Sequence, residues 1–142
     1  MSQENLLSAL HGIKADIGTG PLSGYPVLSL AYIGDAVFEL CVRSKLFESG
    51  EHAHKLHNKA KGIVCAASQS HMYRNLYGRL TEEEQAVIKR GRNAKSYAKA
   101  KNASVSEYAH ATGLETLFGY LFLAGDISRL LELFEICMEE TV

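Results

Sequence analysis

Residues 31–40 read AYIGDAVFEL, and this stretch decides the fold because it places two unusual residues inside an apolar helix pattern. Apolar residues at helical spacing predict a helix from about residue 27 to 47. Gly34 costs about 1 kcal/mol relative to alanine inside a helix. Close approach of another backbone or a ligand would explain this glycine, and so would tight helix packing without chemistry. Asp35, the next residue, needs a separate explanation.

The predicted helix is apolar on two sides. Two stripes lie at helical spacing, and only Asp35 interrupts them. The first stripe contains Leu30, Ile33, Val37 and Leu40, and the second contains Leu28, Ala31, Asp35, Phe38 and Val42. A helix of this kind must be covered on both sides, either by the protein's own core or by another subunit.

A second apolar helix carries the other isolated acid. Residues 114–124 read LETLFGYLFLA, in which Glu115 is the only charge and Gly119 follows one turn later. An unpaired carboxylate in apolar surroundings is strongly disfavoured or protonated, so we expect each acid to have a partner. A hard divalent cation such as Mg²⁺, shared by Asp35 and Glu115, is one solution. Backbone amides or an arginine from elsewhere in the chain are the other.

The whole pattern predicts an all-α fold. The chain has two prolines and few β-branched runs, and Thr81 with Glu84 and Ser104 with Glu107 form capping-box patterns that open helices. Gly62 is expected to bend or split the third helix, and Asp126 to cap the last. We predict helices at about residues 3–10, 27–47, 52–77, 82–91, 105–124 and 127–139.

Length and composition indicate one domain in a cytoplasmic protein. The chain has 142 residues, and its three cysteines lie far apart, which favours reduced, buried thiols. No stretch resembles a signal peptide or a membrane span. Serine-protease triads, phosphate-binding Walker loops and dinucleotide fingerprints are also missing from the sequence.

Charge is distributed unevenly along the chain. The net charge is −1, but residues 52–101 hold eleven basic and three acidic side chains, giving +8. Residues 92–104 are polar and basic without periodicity, which is typical of a functional loop. The basic third is either a surface that binds a polyanion or an ordinary solvated helical face with a charged loop.

AYIGDAVFEL and ATGLETLFGYLFL (residues 111–123) together resemble the catalytic domain of the ribonuclease III family. The first is similar to the family's signature helix and the second to its later metal-binding helix. The closest resemblance is to the compact Mini-ribonuclease III branch, which has the catalytic domain alone. It implies a homodimeric, ribonuclease III catalytic-domain-like helical bundle over residues 25–142, an N-terminal extension over 1–24, and no double-stranded-RNA-binding domain.

The resemblance also implies an activity. We expect a Mg²⁺-dependent endoribonuclease that cleaves double-stranded RNA, leaves 5′-phosphates and matures the large-subunit (23S) ribosomal RNA precursor. It assigns Asp35 and Glu115 as catalytic and metal-binding residues. Basic and polar residues of the middle third would bind the duplex, without a role for DNA or membranes. The leading RNA-binding candidates are Arg90, Arg92, Asn93, Lys95, Lys99 and Lys101, and the weaker ones are Lys55, Lys59 and Arg74.

Two positions depart from the family pattern. Ala31 and Thr112 stand where typical ribonuclease III enzymes carry further acids. Glu39 is a possible substitute ligand, although an ion pair with Arg43 one turn later is the interpretation we favour. The missing acids leave open a catalytically silent RNA- or ribosome-binding dimer on the same fold. A purely structural helical dimer would explain the apolar helices but not the +8 segment.

Overall fold

The computed structural model describes residues 25–94 and 104–139, and within these stretches the chain is all-α, as predicted. The predicted helix at 3–10 and the loop residues 95–103 lie outside the described residues. Six helices are seen in the described stretches: α1 (Val27–Phe47), α2 (Ala53–Val64), α3 (Ala66–Tyr77), α4 (Glu82–Asn93), α5 (Val105–Leu123) and α6 (Ile127–Glu139).

Two predicted boundaries need correction. The helix expected over 52–77 is divided at Cys65, whose extended backbone (φ −69°, ψ 156°) interrupts the helix three residues after Gly62. The helix expected to end at Gly91 continues to Asn93. Gly91 stays helical because it packs against α5, where an added Cβ would lie 2.3 Å from Thr116 Oγ1. Tertiary packing therefore overrides the usual tendency of glycine to end a helix.

Both predicted capping boxes are present. The Glu84 amide donates to Thr81 Oγ1 at 3.1 Å, and the Thr81 amide donates to Glu84 Oε1 at 2.9 Å. The corresponding distances between Ser104 and Glu107 are 3.0 and 3.2 Å. Asp126 also caps α6, since its Oδ1 accepts from the Arg129 amide at 3.4 Å. Local side-chain chemistry thus sets where α4, α5 and α6 begin.

Helix α5 lies at the centre of the fold and packs against α1, α3 and α4. The Phe38 ring of α1 meets the Phe118 ring of α5 edge to face, with 5.2 Å between ring centres. Phe134 of α6 also meets the Phe38 ring edge to face, with 5.9 Å between ring centres. Because α5 is surrounded by other helices, a polar group on it must find its partners among them or in a bound ligand.

The surface contains a cysteine that was expected inside. Cys137 is buried and Cys41 is partly buried, but Cys65 is exposed because it lies in the break between α2 and α3. All three are free thiols. Across the described residues, none of the helices combines the length and the apolar character that a membrane span requires.

Candidate active site

Two glycines bring the backbones of α1 and α5 into direct contact. A Cβ added to Gly34 would lie 1.7 Å from the carbonyl oxygen of Glu115. A Cβ added to Gly119 would lie 2.0 Å from the carbonyl oxygen of Leu30. Both distances are far below any tolerable contact, so only glycine fits at either position. The crossing places Asp35, which follows Gly34, beside Glu115.

The two carboxyl groups meet at this crossing. Burial is the main reason that the pKa of Glu115 is raised to about 8, and the negative charge of Asp35 and a hydrogen bond between the two side chains also contribute to the rise. A contact from the Gln69 side chain acts in the opposite direction. Two acids that share one spot hold a proton between them unless a cation replaces it. A cation bound between the two acids would favour the ionised form of both.

Asp35 is more exposed than the sequence indicated. The apolar pattern predicted two buried carboxylates, but the Asp35 side chain is exposed and Glu115 is partly buried. The buried side of α1 is formed instead by Gly34 and its apolar neighbours Leu30, Phe38 and Val42. Asp35 lies at the outer edge of this contact, so the pair is open to ligands from that side.

No cation from the described chain serves the pair. Within residues 25–94 and 104–139, neither Asp35 nor Glu115 forms an ion pair with a lysine or arginine. The same stretches contain no group of three or more His, Cys, Asp or Glu side chains arranged to hold a metal. Two carboxylates are nonetheless a suitable donor set for Mg²⁺, which takes one or two carboxylates and keeps several waters.

The two neutral positions do not add a ligand side chain. Ala31 is buried, and Thr112 donates its hydroxyl to the Tyr108 carbonyl oxygen at 3.0 Å within α5. Glu39 pairs with Arg43 at 2.8 Å, as predicted. The acidic donors at the crossing are therefore Asp35 and Glu115.

Sequence reasoning missed Gln69 of α3, which lies against Glu115. Its side chain is only 2% exposed. The available signal was its spacing, because Gln69 falls on the same helical face as Met72, Tyr73 and Leu76. A polar residue on such a face is expected to lie inside the protein.

Part of the predicted RNA-binding set lies along α4. Arg90 and Asn93 are exposed, and Arg92 is half-buried. Arg92 Nη1 donates to the Tyr73 hydroxyl at 3.2 Å, and its Nε donates to Asn93 Oδ1 at 3.2 Å. Tyr73 in turn stacks on the His110 ring with 4.4 Å between ring centres. Arg92 is thus held in place by a side-chain network that reaches α5.

The remaining RNA-binding candidates differ in whether an acidic side chain already neutralises their charge. Lys55 pairs with Glu51 at 3.1 Å, and Lys59 pairs with the same carboxylate, so much of their charge is locally compensated. Arg74 is exposed on α3. Lys95, Lys99 and Lys101 lie outside the described residues.

Comparisons with known proteins cover most of the chain, including both helices of the crossing. The family profile described as "Ribonuclease III domain" matches residues 28–126. Mini-ribonuclease 3 of Symbiobacterium thermophilum is 46% identical over 111 residues, covering 78% of this chain and 85% of that protein. Mini-ribonuclease 3 of a Thermoanaerobacter species is 35% identical over 138 residues and 96% of each chain.

A solved structure supports the same assignment. A crystal structure of a protein from Fusobacterium nucleatum superposes with a TM-score of 0.76 at 30% identity, covering 83% of this chain and 95% of that one. The family profile spans the crossing of α1 and α5, and the relatives match most of the chain. The chain therefore belongs to the ribonuclease III family, within its Mini-ribonuclease 3 group, and is an endoribonuclease.

Proposed function

We propose that this endoribonuclease is a Mg²⁺-dependent, homodimeric enzyme that cleaves double-stranded RNA in the cytoplasm, with the 23S ribosomal RNA precursor as its substrate. The observation that carries the proposal is the meeting of Asp35 and Glu115, two carboxyl groups in contact without a basic partner among the described residues. The precursor is the substrate that the resemblance to the Mini-ribonuclease III branch implies. The proposed catalytic domain is residues 25–142, with 1–24 as an extension.

Asp35 and Glu115 would hold the cation. When bound, Mg²⁺ supplies an activated water and stabilises negative charge on the phosphate and on the leaving 3′ oxygen. The crossing of α1 and α5 keeps the two carboxyl groups together, because Gly34 and Gly119 leave little room for the helices to slide. Glu115 has a pKa of about 8, so it must release a proton before it can act as an ionised ligand.

The duplex would be held by the basic middle third. Double-stranded RNA is recognised mainly through phosphates and 2′-hydroxyls, for which lysine, arginine and asparagine side chains are suitable. Arg92 is positioned by Tyr73, and Arg90 lies exposed on the same helix. Asn93, Lys95, Lys99 and Lys101 belong to the same proposed surface, while Lys55, Lys59 and Arg74 are secondary contributors. Affinity should fall with rising salt concentration.

A second copy of the chain would cover the outer face of α1. Several large apolar side chains are exposed along this helix: Leu28 (41%), Tyr32 (82%), Leu40 (66%) and Phe47 (75%). A row of this kind on a soluble protein marks an interaction surface. A two-fold dimer would pair the face with itself. This accounts for the apolar character of both sides of α1.

The experiment is a cleavage assay on a ribosomal RNA stem, run with Mg²⁺ or with a chelator. We expect cuts with Mg²⁺ in the wild type and none in Asp35→Asn. Glu39→Gln is the matched control, since Glu39 is an acid one turn away on the same helix that pairs with Arg43. It should cleave normally. A duplex DNA of the same sequence should remain intact.

Two outcomes would contradict the proposal. Cleavage that persists in the chelator or in Asp35→Asn would exclude the two-carboxylate cation site. Binding of the stem without any cleavage would favour a silent RNA- or ribosome-binding protein instead.

A further inference from the structure

The side-chain amide nitrogen of Gln69 lies inside the protein without a well-formed hydrogen bond to any described residue. Gln69 is 2% exposed, and within the described part of the chain its Nε2 makes no hydrogen bond of normal geometry. A primary amide has two N–H donors, and leaving a buried donor unpaired costs about 1–3 kcal/mol. Such groups are few in native proteins, and each has a cause such as strain, a catalytic role, or a bound water or ion.

The next residue, Ser70, is a buried polar side chain that does have a hydrogen-bond partner. Ser70, at 1% exposure, is as buried as Gln69. Its hydroxyl lies 2.8 Å from His110 Nδ1 on α5. Two consecutive buried polar side chains of α3 therefore face α5, and only one has a conventional partner there. The difference points to a ligand or a state in which Gln69 is also paired.

Glu115 is the group that Gln69 faces. The Gln69 side chain contacts the Glu115 carboxyl, which is hydrogen-bonded to Asp35 in the cation-free chain. A cation between the two acids would separate them and redirect the oxygens of Glu115. An amide N–H is a suitable donor to a carboxylate oxygen that is turned in this way.

We propose, on the basis of the cation site proposed above, that Gln69 is a positioning residue whose Nε2 donates to the Glu115 carboxylate in the cation-bound enzyme. It fixes which oxygen of Glu115 faces the ion. Side chains that orient metal ligands commonly change metal affinity by about 10–100-fold when they are removed. This support matters here because Ala31 and Thr112 contribute no further acid.

The first test measures Mn²⁺ binding to the RNA-free protein by electron paramagnetic resonance. Gln69→Met keeps the length of the side chain and removes both donors, and we expect it to weaken Mn²⁺ binding about tenfold. Gln85→Met is the matched control, because Gln85 Nε2 already donates to the Tyr77 carbonyl oxygen at 3.1 Å. The control should bind Mn²⁺ as the wild type does. A purely structural Gln69 would change the melting temperature without changing the affinity.

The second test observes the Gln69 side chain directly in the wild-type protein. The chain has three glutamines, Gln3, Gln69 and Gln85, so selective ¹⁵N labelling gives three side-chain amide signals. Mg²⁺ should shift the Gln69 amide signal, which Gln69→Met identifies, and leave that of Gln85 in place.

The outcomes separate the two proposals. If the wild type and Asp35→Asn both fail to bind the ion, the cation site and the role of Gln69 are both wrong. If the wild type binds and Asp35→Asn does not, but Gln69→Met binds normally and Mg²⁺ leaves the Gln69 amide signal of the wild type unmoved, only the role of Gln69 is overturned.

Discussion

Glu84 is buried and Glu115 is partly buried, but the side chains that contact the two carboxyl groups differ in charge. Glu84, at the start of α4, accepts from Arg129 at 2.9 Å on each carboxylate oxygen and also from the Thr81 amide at 2.9 Å. The hydrogen bond from Arg129 is the main reason that its pKa is lowered. Glu115, in the middle of α5, contacts another acid, and its pKa is raised to about 8.

We propose that this difference separates a structural carboxylate, Glu84, from a functional one, Glu115. The charge of Glu84 is neutralised by the protein, and it joins α4 to α6 through Arg129, which also donates to the Arg79 carbonyl oxygen at 3.0 Å. None of the ion pairs among the described residues involves Glu115, and in the proposed function the cation would neutralise its charge. Removing the acid should therefore cost stability at Glu84 and activity at Glu115.

The sharpest contrast is catalytic. We expect Glu115→Gln to lower the cleavage rate by about 10³-fold, which corresponds to about 4 kcal/mol of lost transition-state stabilisation. Glu84→Gln should cleave at the wild-type rate per folded molecule, because Glu84 lies outside the crossing. Initial rates at saturating Mg²⁺ and RNA, corrected for the folded fraction, provide the measurement. Equal losses in both variants would remove the distinction.

The crossing itself can be broken by one methyl group. Gly34→Ala places a Cβ 1.7 Å from a backbone oxygen of α5, so the helices must separate. We expect a loss of about 3 kcal/mol in the free energy of unfolding, measured by urea titration. Gly62→Ala is the control, because an added Cβ there meets nothing within 4 Å. It should stabilise helix α2 by about 0.5–1 kcal/mol.

The raised pKa of Glu115 predicts a pH-dependent stability. Its folded pKa of about 8 lies above its ordinary value of 4.5. The folded state therefore binds more protons at Glu115 between these values, so the contribution of Glu115 to stability is fully present below pH 4.5 and declines as pH rises towards 8. Glu115→Gln lacks this decline, so it should gain on the order of 2 kcal/mol over the wild type by pH 8. Melting curves from pH 5 to 8 without divalent cations measure it. Parallel curves for the two proteins would contradict the assigned pKa.

Breaking the ion pair between Glu84 and Arg129 should lower the free energy of unfolding. Arg129→Met leaves Glu84 largely buried without its cation, and we expect a loss of about 1–2 kcal/mol in the free energy of unfolding. The double variant Glu84→Gln/Arg129→Met should lose less than the two single losses combined, because the two residues act on each other. Denaturant titrations of all four proteins complete the cycle. Additive losses would show that the two side chains do not interact.

The smallest expected effect concerns the exposed face of α1. Phe47→Glu places a charge on an exposed position, so the stability of the folded chain should change by no more than about 0.5 kcal/mol. It should nevertheless convert the proposed dimer to a monomer, as measured by light scattering after gel filtration. Glu48→Gln, at a neighbouring exposed position, is the control. A wild-type protein that is monomeric at micromolar concentration would contradict the dimer.

The predictions from sequence succeeded where the chemistry is local. The capping pairs Thr81/Glu84 and Ser104/Glu107 lie within one turn of helix, so their residues alone identify them. The sequence also indicated that the acids of α1 and α5 need a special explanation, because an isolated acid near a glycine in an apolar helix is unusual. The ion pair between Glu39 and Arg43 follows from spacing in the same way.

The errors concern tertiary packing. Helical periodicity shows that α1 is apolar on two sides but not which side faces the core, so the exposure of Asp35 was missed. The split of the helix predicted over 52–77 was expected at Gly62, but it lies three residues later, at Cys65. Gln69 was overlooked because a polar residue in a helix usually faces water; its spacing from Met72, Tyr73 and Leu76 indicates a buried face, but only the packing of α3 on α5 shows that it lies against Glu115.

The most direct test counts the cations bound per chain. Equilibrium dialysis with Mn²⁺ at pH 8, without RNA, should give one bound ion per wild-type chain and none for Asp35→Asn or Glu115→Gln at the same concentration. Glu84→Gln should bind as the wild type does. Full binding that survives in either crossing variant would show that the two carboxylates do not share an ion.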